Sequence, residues 1–242
     1  MSIEKIGHFL GEKIGRKGLE WLNKKVENFD IKVSGEENLE SLKEEAYLLV
    51  SNHLKPEENI AVNTGISPDS FILSSLVKKI TGQEIKAIQK SDDGWWAKNP
   101  IWRSFQKNIG QPLGKGFAEG SGNVPVKKNP GSFNRDFLLL VDGVIKNGEP
   151  LLIFPEGNWY EDFEIDHEIK PGAAHIAKKY DLKVVPAYIK GATSWEDGQD
   201  ISVSFGEPFT VENFEKDEIS EKIKEEIHKL QQETEQEVTR QA

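Results

Sequence analysis

Three short apolar runs with no inner alternation, residues 46–51, 150–154 and 183–189, most constrain how this chain folds. Each has the length of a strand, and a strand without a polar side must be covered on both faces. Helical periodicity lies between them, at residues 69–80, 133–146 and 173–180, the second closed by the stop signal Asn147-Gly148. Residues 30–34 and 85–89 add two more strand signals. Strands alternating with helices of this length predict an α/β fold, a single domain whose mixed, mostly parallel sheet is covered by helices. Ile219, Ile223, Ile227 and Leu230 mark a charged C-terminal helix. The expected division is an N-terminal amphipathic helix (1–29), the α/β domain (30–212) and a C-terminal helix and tail (213–242).

The N-terminal helix, residues 3–26, aligns Ile3, Ile6, Leu10, Ile14 and Trp21 on one stripe. Gly7, Gly11, Gly15 and Gly18 share an adjacent face, each weakening a helix by about 1 kcal/mol relative to alanine. Six basic side chains (Lys5, Lys13, Arg16, Lys17, Lys24, Lys25) face three acidic ones (Glu4, Glu12, Glu20) in this segment. The rest of the chain is strongly acidic, since the whole carries a net charge of −10. That balance argues against a nucleic-acid partner, while a basic amphipathic helix suits a membrane surface or a packed brace. No apolar run reaches the length of a membrane span, and the first residues lack the apolar core of a signal peptide. The absence of cysteine removes disulfides and thiolate metal sites. A cytoplasmic, peripherally membrane-associated protein is expected.

Two polar sequences follow apolar strands directly. Ser51-Asn52-His53 ends the first run, and Phe154-Pro155-Glu156-Gly157-Asn158 ends the second. Ligands of open α/β sheets bind beyond the carboxyl ends of strands, so both points can face one crevice. The glycine-rich stretch 110–122 fits neither nucleotide-binding pattern, because Gly114-Lys115 is followed by glycine, and it reads as a surface loop. No serine lies in a Gly-x-Ser-x-Gly elbow. His167, His175, Asp162 and Asp166 match no standard spacing for a metal, so no metal site is expected.

These pieces resemble, in order, the glycerophospholipid acyltransferases, the family that includes 1-acylglycerol-3-phosphate acyltransferase. The resemblance begins at Val33-Ser34-Gly35-Glu36-Glu37-Asn38-Leu39 and continues through Ser51-Asn52-His53 and Asp69-Ser70-Phe71-Ile72-Leu73. Lys90 and Pro100 match a lysine and a proline found after the first motif. Gly122-Asn123-Val124-Pro125-Val126-Lys127-Lys128 resembles the second motif, and Phe154-Pro155-Glu156-Gly157 the third. Lys170-Pro171-Gly172-Ala173-Ala174 and Val184-Val185-Pro186-Ala187-Tyr188-Ile189 complete the set.

The resemblance implies transfer of a fatty acyl group from acyl-coenzyme A or acyl-acyl carrier protein to the hydroxyl of a lysophospholipid-like acceptor. No bound cofactor is implied. His53 would be the general base, with a carboxylate fixing its tautomer. Lys128, Glu156, Gly157 and Asn158 would bind the acceptor, and a backbone amide near Gly157 could steady the oxyanion. Asp69 lies farther from His53 than the family's aspartate lies from its histidine, with residues 54–68 inserted between them. Glu58 stands at the usual offset, but the apolar residues Phe71, Ile72, Leu73 and Leu76 follow Asp69 and favour it as the partner. Asn158 and Trp159 replace the threonine and arginine that normally follow the third motif, removing one phosphate-binding cation. A catalytically inactive lipid-binding relative is the alternative.

Overall fold

Tyr47, Leu48, Leu49, Val50 and Ser51 form strand β2 (Tyr47–Ser51), and every one of them is buried. Such a strand needs neighbours on both edges and cover on both faces. Both edges are supplied in parallel, by β5 (Leu151–Ile153) with Leu49 opposite Leu152, and by β6 (Lys183–Lys190) with Leu49 opposite Val185. The computed structural model describes residues 3–57, 67–90, 116, 123–126, 135–196 and 198–241. Its contacts form two compact units interleaved in sequence, one of residues 26–85 and 147–242, the other of 1–25 and 86–146.

The larger unit adds β7 (Ile201–Phe205), antiparallel to β6, and β1 (Ile31–Ser34), parallel to β7. Its sheet is therefore mixed but mostly parallel, as the alternation of signals predicts. Helix α2 (Glu36–Glu40) packs against α3 (Pro68–Thr81), while α5 (Gly172–Tyr180) and α6 (Lys216–Gln241) pack together and onto β2 and β6. Ile219, Ile223, Ile227 and Leu230 form the buried stripe of α6. Gly82, at φ +79°, ends α3 with its N–H on the Lys78 carbonyl.

In the smaller unit, helix α1 (Ile3–Val26) supplies all but its last residue, and β3 (Lys86–Lys90) runs parallel to β4 (Val124–Val126). Helix α4 (Arg135–Lys146) packs on β4 and buries Phe137 and Val141. Gly116 meets α1 so closely that a Cβ there would lie 2.0 Å from the His8 carbonyl oxygen. A close approach to α1 thus exists, at a glycine of the 110–122 stretch, whose other residues lie outside those described. Ile6, Phe9 and Leu10, one face of α1, are 40–48% exposed. No helix among the described residues is long and apolar enough to cross a membrane.

Two strands and a helix were not expected from the sequence. β7 reads Ile201-Ser202-Val203-Ser204-Phe205, and β4 is three residues inside the second motif. The five-residue helix α2 is too short to show periodicity.

Candidate active site

β2 and β5 are adjacent and parallel, with Val50 opposite Ile153, so the polar sequences after them emerge side by side. Asn52 closes β2 by pairing with the backbone of β6. Its Nδ2 donates to the Ile189 carbonyl at 2.9 Å, and its Oδ1 accepts the Ile189 N–H at 2.8 Å. That pairing turns the chain out of the sheet and presents His53 at the sheet's carboxyl edge.

Asp69 stands in the first turn of α3, behind Pro68, where a carboxylate suits both the free amides and the helix dipole. Its side chain is fully buried. Oδ1 accepts the Ser70 N–H at 2.6 Å. Oδ2 lies 2.8 Å from His53 Nδ1 and accepts the Leu54 N–H at 2.8 Å. An ionised carboxylate can only accept, so Nδ1 carries the proton and Nε2 keeps its lone pair. Among the described residues Nε2 has no hydrogen-bond partner. The ring is held flat on Phe154, at 3.9 Å between centroids and 12° between planes, and Trp159 meets its edge at 5.7 Å. Leu54, the first residue of the inserted segment, is thus hydrogen-bonded to Asp69, which directly follows that segment. Within it Glu57 is tied to Thr193 by two bonds of 2.7–2.8 Å. Glu58 lies outside the described residues.

Glu156 follows β5 and points inward. Oε2 accepts the His53 backbone N–H at 2.7 Å, and Oε1 lies 3.3 Å from His167 Nδ1. Its side chain is fully buried, and both oxygens face protein groups. Burial pushes this carboxyl up to about 8, the His53 amide pulls it down, and Asp69 and Asp162 push it up further. Gly157 takes φ +65°, a conformation that favours glycine, and its N–H donates to the Phe154 carbonyl at 3.1 Å. That amide is therefore engaged within the turn. Asn158 is exposed. The Lys170 stem crosses Gly157, while its Nζ pairs with Glu168 at 2.6 Å. Lys127 and Lys128 lie outside the described residues.

The segment after Gly157 contains groups the sequence did not assign to the site. Tyr160 brackets His53: its N–H donates to the His53 carbonyl at 3.0 Å, and its own carbonyl accepts the Lys55 N–H at 2.7 Å. His167 stacks on the Tyr160 ring at 3.8 Å. Asp162 accepts the Tyr188 hydroxyl at 2.8 Å. His175 instead faces Lys216, and burial together with Lys216 and Lys179 lowers its pKa. Among the described residues no group of three histidines and carboxylates gathers to hold a metal.

A family model described as acyltransferase matches residues 85–190, a range that contains the third motif and starts after His53 and Asp69. No curated protein matches the chain. Among solved structures the chain is similar to the 1-acyl-sn-glycerophosphate (LPA) acyltransferase PlsC from Thermotoga maritima. The two share 18% identity at a TM-score of 0.49, over 93% of this chain and 78% of that one. The family model thus makes residues 85–190 similar to the acyltransferases, a stretch somewhat shorter than half of the chain.

Proposed function

We propose that the protein moves a fatty acyl group from a thioester donor to the hydroxyl of a lysophospholipid-like acceptor, with His53 as general base. The observation that carries this reading is the His53 Nδ1–Asp69 Oδ2 contact of 2.8 Å on a buried carboxylate, with Nε2 left unpaired among the described residues. In the reaction Nε2 takes the acceptor's hydroxyl proton as the oxygen attacks the thioester carbonyl. Asp69 steadies the imidazolium so formed. The tetrahedral intermediate collapses to the new ester, the C–S bond breaks, and the imidazolium returns the proton to the departing thiolate. The acceptor hydroxyl stands where a serine protease places its serine, so no acyl-enzyme is needed. Glu156 serves the base by holding the His53 main chain.

The acceptor's head is the finer part of the proposal. A phosphate monoester carries nearly two charges and is best held by the planar fork of arginine. Here Trp159 stands at the arginine position, beside the base, and the cations on offer are the lysines Lys128 and Lys170. The acceptor preference is therefore weaker for lysophosphatidic acid than for an acceptor with a less charged head, such as a lysophosphodiester or a glycolipid. The peripheral membrane surface is assigned to α1, whose exposed Ile6, Phe9 and Leu10 are flanked by Lys5, Lys13 and Arg16.

A labelled acyl group offered on coenzyme A and on acyl carrier protein to a panel of lysolipids tests the activity. Transfer to at least one acceptor is expected, and Trp159→Arg should raise the rate on lysophosphatidic acid relative to uncharged acceptors. Lysolipid binding without transfer from either donor would support the inactive relative instead. Native protein strongly preferring lysophosphatidic acid would refute the head-group reading.

A further inference from the structure

We propose that His167 is a positioning residue for His53, acting on it through the Glu156 carboxyl and through Tyr160. This rests on His53 being the base. The main chain of His53 is held at both of its polar groups. Its N–H donates to Glu156 Oε2 at 2.7 Å, and its carbonyl accepts the Tyr160 N–H at 3.0 Å. His167 touches both holders. Its Nδ1 lies 3.3 Å from Glu156 Oε1, the free end of the same carboxyl, and its ring stacks on Tyr160 at 3.8 Å and 28°. One imidazole therefore sets the two restraints that aim the other.

The support under His167 is firm. Its loop is tied to β6 where Asp162 accepts the Tyr188 hydroxyl at 2.8 Å, and to α6 where Gln231 donates to the Phe163 carbonyl at 3.0 Å. The Phe163 ring meets the imidazole edge at 6.4 Å. A group that must hold another within a fraction of an ångström needs this kind of backing.

Both nitrogens of the ring face carboxyl oxygens. Glu156 lies at Nδ1, and the largely exposed Glu164 lies 3.5 Å from Nε2. Asp69, from the first turn of α3, and Asp162, from the loop, act on Glu156 in turn.

Two substitutions separate the contacts. His167→Phe keeps a ring on Tyr160 and removes the hydrogen bond. His167→Asn keeps a neutral donor near the Nδ1 position and cannot titrate. With long-chain acyl-coenzyme A and lysophosphatidic acid, His167→Phe should lower kcat about tenfold or more, with KM little changed, as expected when a reacting group is displaced by about an ångström. His167→Asn should recover most of that loss. The NMR signals of the His53 imidazole should shift in His167→Phe, and this arm needs no turnover. A shift in a protein that transfers no acyl group would overturn the acyl-transfer reading and keep the coupling. Native kcat and unshifted His53 signals in folded His167→Phe would overturn the inference.

Discussion

At Glu156 the demands of the fold and of ionisation oppose each other. The carboxyl is buried to receive the His53 amide, and that burial raises its pKa to about 8. The sign of the consequence follows from linkage. In the unfolded chain this glutamate loses its proton near its ordinary value of about 4.3, while the folded protein keeps it until the raised value is passed. Stability from this group is therefore full below the unfolded pKa, falls as pH rises through the window, and levels off above about 8. Glu156→Gln keeps an oxygen for the His53 amide and cannot ionise. Urea unfolding at about pH 5 and about pH 8.5 should show a smaller loss of stability in the variant than in the native protein. Equal losses would mean that Glu156 is ionised throughout. The sequence made the identities of His53, Asp69 and Glu156 legible, because each sits at the end of an apolar run or the start of an apolar helix. It did not reveal which way Glu156 points. It also did not reveal His167, which sits 11 residues from Glu156 in an acidic loop without periodicity.

At the scale of elements, legibility followed apolar continuity. β2, β5 and β6 are almost wholly buried and were readable to within a residue or two. β7 was not, although its alternation of Ile201, Val203 and Phe205 with serines was a usable signal. Ser204 belongs to a hydroxyl chain in which Ser34 donates to it at 2.9 Å and Thr234 lies 2.8 Å from it. Such pairing makes a polar residue compatible with burial, and hydropathy cannot foresee it. Helix α1 raises a different question, because sequence alone left its apolar stripe as either core or membrane contact. Ile6 and Leu10 of that stripe, with Phe9 beside them, are exposed, and the proposed membrane contact rests on them. Vesicles rich in anionic lipid should bind the native protein, less so at high salt. Phe9→Glu with Leu10→Glu should abolish most of that binding while leaving the thermal unfolding midpoint nearly unchanged. Unaltered vesicle binding in the double variant would remove α1 from the membrane interface.

At the scale of the molecule, charge and topology divide the work. The chain carries −10 overall, yet residues 1–26 hold twice as many basic as acidic side chains, so the proposed contact with an anionic surface would be local to that segment. The proposed chemistry is carried by the larger unit, where two parallel strands end side by side and a third element, α3, brings in the carboxylate. The long insertion between His53 and Asp69 does not break the pair, because its first residue, Leu54, is hydrogen-bonded to Asp69 itself. Acyl transfer by the native protein, His53→Ala and Asp69→Asn, measured side by side with the preferred donor and acceptor, tests the central claim most directly. His53→Ala should lose about two to four orders of magnitude in turnover, the usual contribution of a general base. Asp69→Asn should also lose most activity, since an amide cannot accept from the histidine, Leu54 and Ser70 together as the carboxylate does. A folded His53→Ala protein that transfers the acyl group at the native rate would contradict the account.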